Sequence, residues 1–244
     1  MLVLSYHKLI NSSYRSMIRI LRCKSKTFRF APFYLYIYKN PLLTKISERM
    51  YEMLTHQGTQ TIQTERLILR RFKDGDAPQM FDHWAYDIRV AKFLSWEPHA
   101  SVKETEIVIE KWMKRSESID RYDWAIELDG CIIGSINIVG FSERDEWCEL
   151  GYCLGYDYWN HGYMTEAVLA ATDFLFSKVG FHRIMIRNAT VNPASGRVAE
   201  KCGFRFEGIQ RSYMKARSGG FYDMEMRALL REDWEKETAH FDSN

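Results

Sequence analysis

At 244 residues and 46% hydrophobic composition, the chain is long enough to bury one sizeable core, a domain with an appendage. Its formal charge of +2 averages two unlike pieces: residues 1–52 carry ten Lys/Arg against two acids, and the remainder carries 24 against 30. The acidic body excludes a nucleic-acid-binding domain there, five cysteines without a CxxC pair argue for a reducing cytoplasm, and the scattered histidines offer no metal site.

Residues 1–58 have no acid before Glu48 and only short helical patterns. They read as a basic, weakly ordered extension outside catalysis. The other readings are an Arg-rich targeting segment, an over-extended start ahead of Met53, or a basic arm for membrane or RNA. No apolar run approaches the ~20 residues of a membrane span. From Thr61 the pattern tightens into a domain taken as 59–236, with a tail at 237–244. "ERLILRRF" (65–72) predicts a first strand, and the DGDAP turn leads into a helix through Trp84. "SVKETEIVIEKWMKRSES" (101–118) opens with Ser101 and Glu104 in capping-box spacing and turns Val102, Ile109, Trp112 and Met113 to one face.

"DWAIELDGCIIGSINIVGF" predicts two strands joined by a tight turn at Asp129-Gly130, and "EWCELGYCLG" (146–155) predicts a third. The stretch "YWNHGYMTEAVLAATDFLF" (158–176) then places Gly162 in front of a long helix, with no acid until Glu166. A helix start presents unpaired N–H groups and a dipole that favours negative charge, so it can be solvated or can hold a phosphate. Apolar positions 164, 167, 168, 171, 174 and 175 keep helical spacing up to a stop at Gly180. "HRIMIRNATV" is a further strand. Asn192-Pro193 supplies a cap and a first-turn proline for a short helix ending at Gly203, and a last hairpin turns around Ser218-Gly219-Gly220. The helix-start loop is neither GxxxxGK[ST] nor GxGxxG, so nucleotide hydrolysis and dinucleotide binding lack their signatures.

Four pieces read in order carry a resemblance: "ERLILRRF", "ELGYCLGYDYWNHGYMTEA", "NPASGRVAEKCGFRFEG" and "FYDMEMRALLREDW". Together, over about 61–235, they resemble the GNAT superfamily of acetyl-CoA-dependent N-acetyltransferases, in the branch of bacterial ribosomal-protein N-terminal alanine acetyltransferases. The resemblance implies an α/β (α+β) fold: a mixed, mostly antiparallel sheet of six to seven strands, splayed at the acetyl-CoA site, with about four helices. It implies that Trp159, Asn160, His161, Gly162, Tyr163, Met164 and Thr165 form the pyrophosphate loop. Met164 is bulkier than the small residue usual there. Cys153 reads as packing rather than as an acyl carrier. The N–H near Leu154 would polarise the thioester carbonyl, and Asn192 and Ser195 match the branch's N-x-x-S element.

Other members place a general-acid Tyr where this chain has Ala199, which leaves Ser195 as the donor to the leaving thiolate or as a helix cap. An α-amine of pKa ~8 is roughly one-tenth neutral at pH 7, and a lysine only about once in 2,500. A modest base then suffices, and Glu149 acting through water is the candidate; its alternative is a solvated carboxylate on the strand. The expected enzyme transfers acetyl directly to a primary amine, needs no metal, and takes a protein N-terminus as acceptor. The alternatives are a small-molecule amine acetyltransferase or a noncatalytic acyl-CoA-binding module.

Overall fold

The computed structural model describes residues 54–217 and 219–241. The extension expected over 1–58 therefore lies, up to residue 53, outside the described residues, as does 242–244 of the tail. The described chain forms an eight-stranded sheet in the order β1-β2-β3-β4-β5-β6-β8-β7. Its strands are β1 (Ile62–Gln63), β2 (Ile68–Arg70), β3 (Asp123–Leu128), β4 (Cys131–Ser142), β5 (Trp147–Leu154), β6 (Arg183–Ala189), β7 (Arg205–Lys215) and β8 (Phe221–Leu230). All neighbours are antiparallel except β5 and β6, which run parallel.

The strand count exceeds the expected six to seven because β1 is two residues long, too short to show alternation, and pairs Ile62 with Leu69. Among the described residues there are six helices where about four are expected. They are α1 (Ala77–Met80), α2 (Ile88–Ala91), α3 (Val102–Arg115), α4 (Tyr163–Phe174), α5 (Pro193–Lys201) and α6 (Arg231–Phe241). The predicted helix through Trp84 is α1 continued by a wide turn, in which Tyr86 N–H donates to Phe81 O at 3.4 Å. α2 is a single turn capped by Asp87, which accepts from Arg89 N–H. α6 is mostly polar and is anchored by Trp234 against Phe176, with ring centroids 5.4 Å apart.

Local chemistry sets these elements. Asp129 and Gly130 both take positive φ, 49° and 81°, which is the type I′ geometry that matches strand twist in a two-residue hairpin. Ser101 caps α3 by accepting from Glu104 N–H, and Glu104 reaches back to Ala100 N–H. Alternation along the strands then divides the core over two faces. Trp124, Ile126, Ile136, Leu150, Ile184 and Ile186 pack with Ala167, Val168 and Ala171 of α4. On the other face Ala125 and Ile132 meet Phe72, Met80, Trp84 and Ile109.

The first described residues belong to this unit. Leu54 is buried in the core, and Thr55 N–H donates to Val179 O at 2.7 Å. His56 lies 2.8 Å from both the Tyr122 hydroxyl and Glu143 Oε1. A chain beginning at Met53 keeps all of these contacts and should melt cooperatively, within a few degrees of the full-length protein. A chain beginning at Thr59 loses them and should melt several degrees lower, since an orphaned buried hydroxyl alone costs about 1–3 kcal/mol. Scanning calorimetry of the three chains checks this. Non-cooperative melting of the Met53 chain would mean that residues 1–52 complete the core.

Candidate active site

The parallel pairing of β5 with β6 runs from Trp147↔Arg183 to Leu150↔Ile186 and then stops, although both strands continue. Beyond that point β5 stays with β4: Gly155 N–H donates to Ile133 O at 2.8 Å. Backbone groups alternate sides along a strand, so those of Tyr152 and Leu154 face away from β4 and into the gap. The Leu154 carbonyl is taken by the Trp159 indole N–H at 2.7 Å. Trp159 thus packs partly in the core and lines the cleft. The gap widens into a cleft of about 530 Å³ between the two strands and the starts of α4 and α5.

Gly162 begins α4 with φ +83° and no side-chain cap, so the first N–H groups of the helix have no local side-chain acceptor. Asn160, Gly162, Tyr163, Met164 and Thr165 line the cleft here. The bulk of Met164 is directed into the core, where it is 6% exposed, and only its backbone needs to serve the loop. His161 is exposed and stacks on Tyr163 at 5.6 Å. Its carbonyl accepts from Arg66 Nη1 at 3.0 Å. Arg66 also pairs with Glu166 at 2.7 Å and lies over the Tyr163 ring at 4.7 Å. Burial alone would raise the Glu166 carboxyl, but hydrogen bonds from Thr64 and Arg66 bring it below the usual carboxylate range.

At the start of α5 the two readings of Ser195 separate. The cap is Asn192, whose side chain accepts from Ser195 N–H at 3.5 Å. The Ser195 hydroxyl instead meets the Tyr152 hydroxyl at 3.0 Å. Asn188, at the end of β6, is 4% exposed. Its Nδ2 donates to Ala189 O and Asn192 O and reaches Glu225 Oε2 at 3.5 Å, all of them acceptors, which fixes the amide orientation. Its Oδ1 is buried without a partner.

Glu149 and Arg187 point to the other face. The Arg187 guanidinium donates to both Glu149 oxygens and stacks over Tyr213 at 4.5 Å. The bonds to Glu149 hold Arg187 above its ordinary pKa against the opposing cost of burial. Arg187 lines the cleft, with Glu149 behind it. Arg89 is similarly held by Asp87 and lies over Tyr156 at 3.6 Å. With Arg197 and Lys201 of α5, these give the lining four cationic side chains and no carboxylate. Cys153 lies 3.3 Å from the Ser135 hydroxyl, and burial pushes its thiol up to about 11, which leaves it protonated and inert.

An uncapped helix start and a strand pair held open, with unpaired backbone groups facing the gap, suit a ligand with phosphates at one end and amides along an extended arm. This is the architecture of acyl-coenzyme A transferases. Residues 66–205 match the family model for the acetyltransferase (GNAT) domain, and the chain belongs to that family of N-acetyltransferases. It is 28% identical over 172 residues to the N-acetyltransferase YoaA of Bacillus subtilis, covering 70% of this chain and 96% of YoaA. It is 29% identical over 183 residues to the [ribosomal protein uS5]-alanine N-acetyltransferase of Escherichia coli, covering 70% and 91%. A GNAT-family acetyltransferase structure from Bacillus anthracis superposes with a TM-score of 0.63 at 25% identity, covering 71% of this chain and 99% of that one. Among the described residues no helix is long and apolar enough to cross a membrane, and no group of three or more His, Cys, Asp or Glu is arranged to hold a metal.

Sequence reasoning missed Arg66, Tyr152, Arg187 and Asn188. Arg66 lay within "ERLILRRF" and Tyr152 within "ELGYCLGYDYWNHGYMTEA", while Arg187 and Asn188 lay in the strand "HRIMIRNATV". Their roles depend on which strands become neighbours. At Gly162 an L-residue in the left-handed region costs about 1–2 kcal/mol, and an added Cβ would lie 3.4 Å from Arg66 Nη2. Gly162→Val should therefore weaken acetyl-CoA binding about tenfold or more by calorimetry, with the melting temperature moved by only a few degrees. Equal affinities would remove this loop from the site.

Proposed function

We propose that the protein transfers acetyl from acetyl-CoA directly to a primary amine, and that the acceptor is the α-amine of a protein N-terminus, in a cytoplasmic setting. The observation that carries the acceptor class is the charge of the lining: four cations and no carboxylate. A polyamine is bound as a polycation and needs acids, whereas an α-amine enters neutral at a useful fraction near pH 7. The uS5-alanine relative, whose name specifies an N-terminal residue type, supports the same reading.

On this reading the α4 start and the loop from Trp159 to Thr165 hold the pyrophosphate, while exposed Arg197 and Lys201 add positive charge beside it. The Leu154 N–H is the donor aimed at the thioester oxygen. The amine lone pair forms the new C–N bond, the C–S bond breaks, and its electrons go to sulfur. Ser195 donates a hydrogen bond to that sulfur, and Asn192 holds the turn that presents it. Glu149, expected as base, is engaged by Arg187 through both oxygens. We therefore assign it the anchoring of Arg187, and water takes the amine's proton.

Free-thiol release should be seen with N-terminal peptides and should be slower by at least tenfold with polyamines or amino sugars. Faster turnover of a small amine would overturn the acceptor class, and acetyl-CoA binding without turnover of any amine would make the protein a binder. Ser195→Ala should lower kcat about 10- to 100-fold, the worth of about 1–3 kcal/mol for a bond to charge, with acetyl-CoA affinity unchanged. Asn192→Ala should instead lower the melting temperature, by about 1 kcal/mol of cap stability. An unchanged kcat in Ser195→Ala would end its role in the transfer.

A further inference from the structure

Tyr152 lies two positions along β5 beyond the last pair with β6, Leu150↔Ile186. Alternation puts its side chain on the same face as Leu150 and Leu154, toward α5, where it packs against the core with Val198. Its hydroxyl lies 3.0 Å from Ser195 Oγ and 3.1 Å from Ser195 O. It has one proton and two acceptors within reach.

The backbone carbonyl of Ser195 is inside α5, where the helix itself supplies an N–H four residues on. Ser195 Oγ has no such supplier. A serine hydroxyl carries one proton and two lone pairs and rotates to suit its neighbours. If the phenol donates to Oγ, the Ser195 proton cannot also point at Tyr152 and is left to point into the cleft. If the phenol donates to the carbonyl, the Ser195 proton is drawn to the phenol oxygen and away from the cleft.

We propose that Tyr152 is a positioning residue for acetyl transfer: its phenol donates to Ser195 Oγ and thereby turns the Ser195 hydroxyl proton onto the departing sulfur. The inference rests on the role given to Ser195 above. No proton leaves either side chain. The sulfur takes the electron pair of the broken C–S bond, the amine's proton goes to water, and the two hydroxyls contribute hydrogen bonds only. The arrangement needs the phenol protonated at every working pH, and burial pushes it up to about 12 against the opposing pull of the Ser195 bond. Donation to Oγ also polarises the serine hydroxyl, since hydrogen bonds in series strengthen one another.

Tyr152→Phe keeps the ring and removes only the donor. Measured beside Ser195→Ala and the double variant, it should lower kcat about tenfold, within the range for a lost hydrogen bond to charge. Acetyl-CoA Kd and melting temperature should stay near wild type, and the double variant should be no slower than Ser195→Ala alone. With wild type, no Tyr152 limb should appear in the kcat profile below pH 10. If Ser195→Ala is slow while Tyr152→Phe matches wild type, the positioning role is overturned and that of Ser195 stands. If Tyr152→Phe is slow while Ser195→Ala is not, the phenol acts on sulfur itself and both assignments fall. Losses that multiply in the double variant mean independent action and overturn the coupling. A lower melting temperature with unchanged kcat per folded molecule makes Tyr152 a strut under α5.

Discussion

The site depends on one interrupted ladder. Parallel strands share evenly spaced hydrogen bonds, and nothing in the backbone of β5 and β6 stops them after Leu150↔Ile186 except what surrounds them. Buried backbone groups left unpaired are costly, so the break has to be supported from both sides. On β5 the Trp159 indole takes the Leu154 carbonyl. On β6 Asn188 ties Ala189 O and Asn192 O together. These two side chains satisfy the ends of the opened strands, and what is left over faces the gap: the Leu154 N–H and the Tyr152 backbone. A ligand with amides along an extended arm completes the ladder, in the way an added strand does.

The second requirement is that the start of α4 stays fixed while carrying positive φ and an acid in its first turn. Glu166 suits the helix dipole but lies close to where an anion must sit. Arg66 answers both needs, pairing with Glu166 and holding the His161 carbonyl. With 41% of its side chain exposed, Arg66 gives a pair that adds little stability in itself. Its contribution is geometric: it fastens β2, at the far side of the sheet, to the loop that precedes α4. The segment leading into β2 thereby supports the start of α4, although no residue of β2 lines the cleft.

This division explains what could be read from the sequence. The Gly162 loop, the Asp129-Gly130 hairpin and the Ser101 cap are local: turn chemistry and helix spacing within a few residues specify them, and the fold has them where the sequence put them. The two-residue β1 and the one-turn α2 are too short to carry a period, and α6 is mostly polar, so pattern alone passes over them. Tyr152 and Ser195 are 43 positions apart, and Glu149 and Arg187 are 38 apart. Their meeting is set by the order β5-β6 and by which face each strand turns to α5, facts that belong to the sheet as a whole. Glu149 illustrates the consequence. As a carboxylate on a cleft strand it reads as a base, but Arg187, two positions along β6 from its register partner Met185, occupies it.

The same pairing governs how charge is handled around the amine. Arg187 and Arg89 stand at the cleft with their carboxylates, Glu149 and Asp87, turned behind them. Each ion pair is locally near neutral, yet the cleft lining holds the guanidiniums and no carboxylate, with Tyr213 against one and Tyr156 against the other. An ammonium approaching this surface meets like charge with no acid to accept it, and it would also have to give up its hydration. A neutral amine meets neither penalty. On the proposed acceptor the lining selects the reactive protonation state by what it withholds, and that reading needs no strong base. That shifts the chemical burden to the other end of the reaction, the departing sulfur. On the proposed reaction the two hydroxyls that meet it are Ser195 and Tyr152, 3.0 Å apart, and burial keeps the phenol protonated.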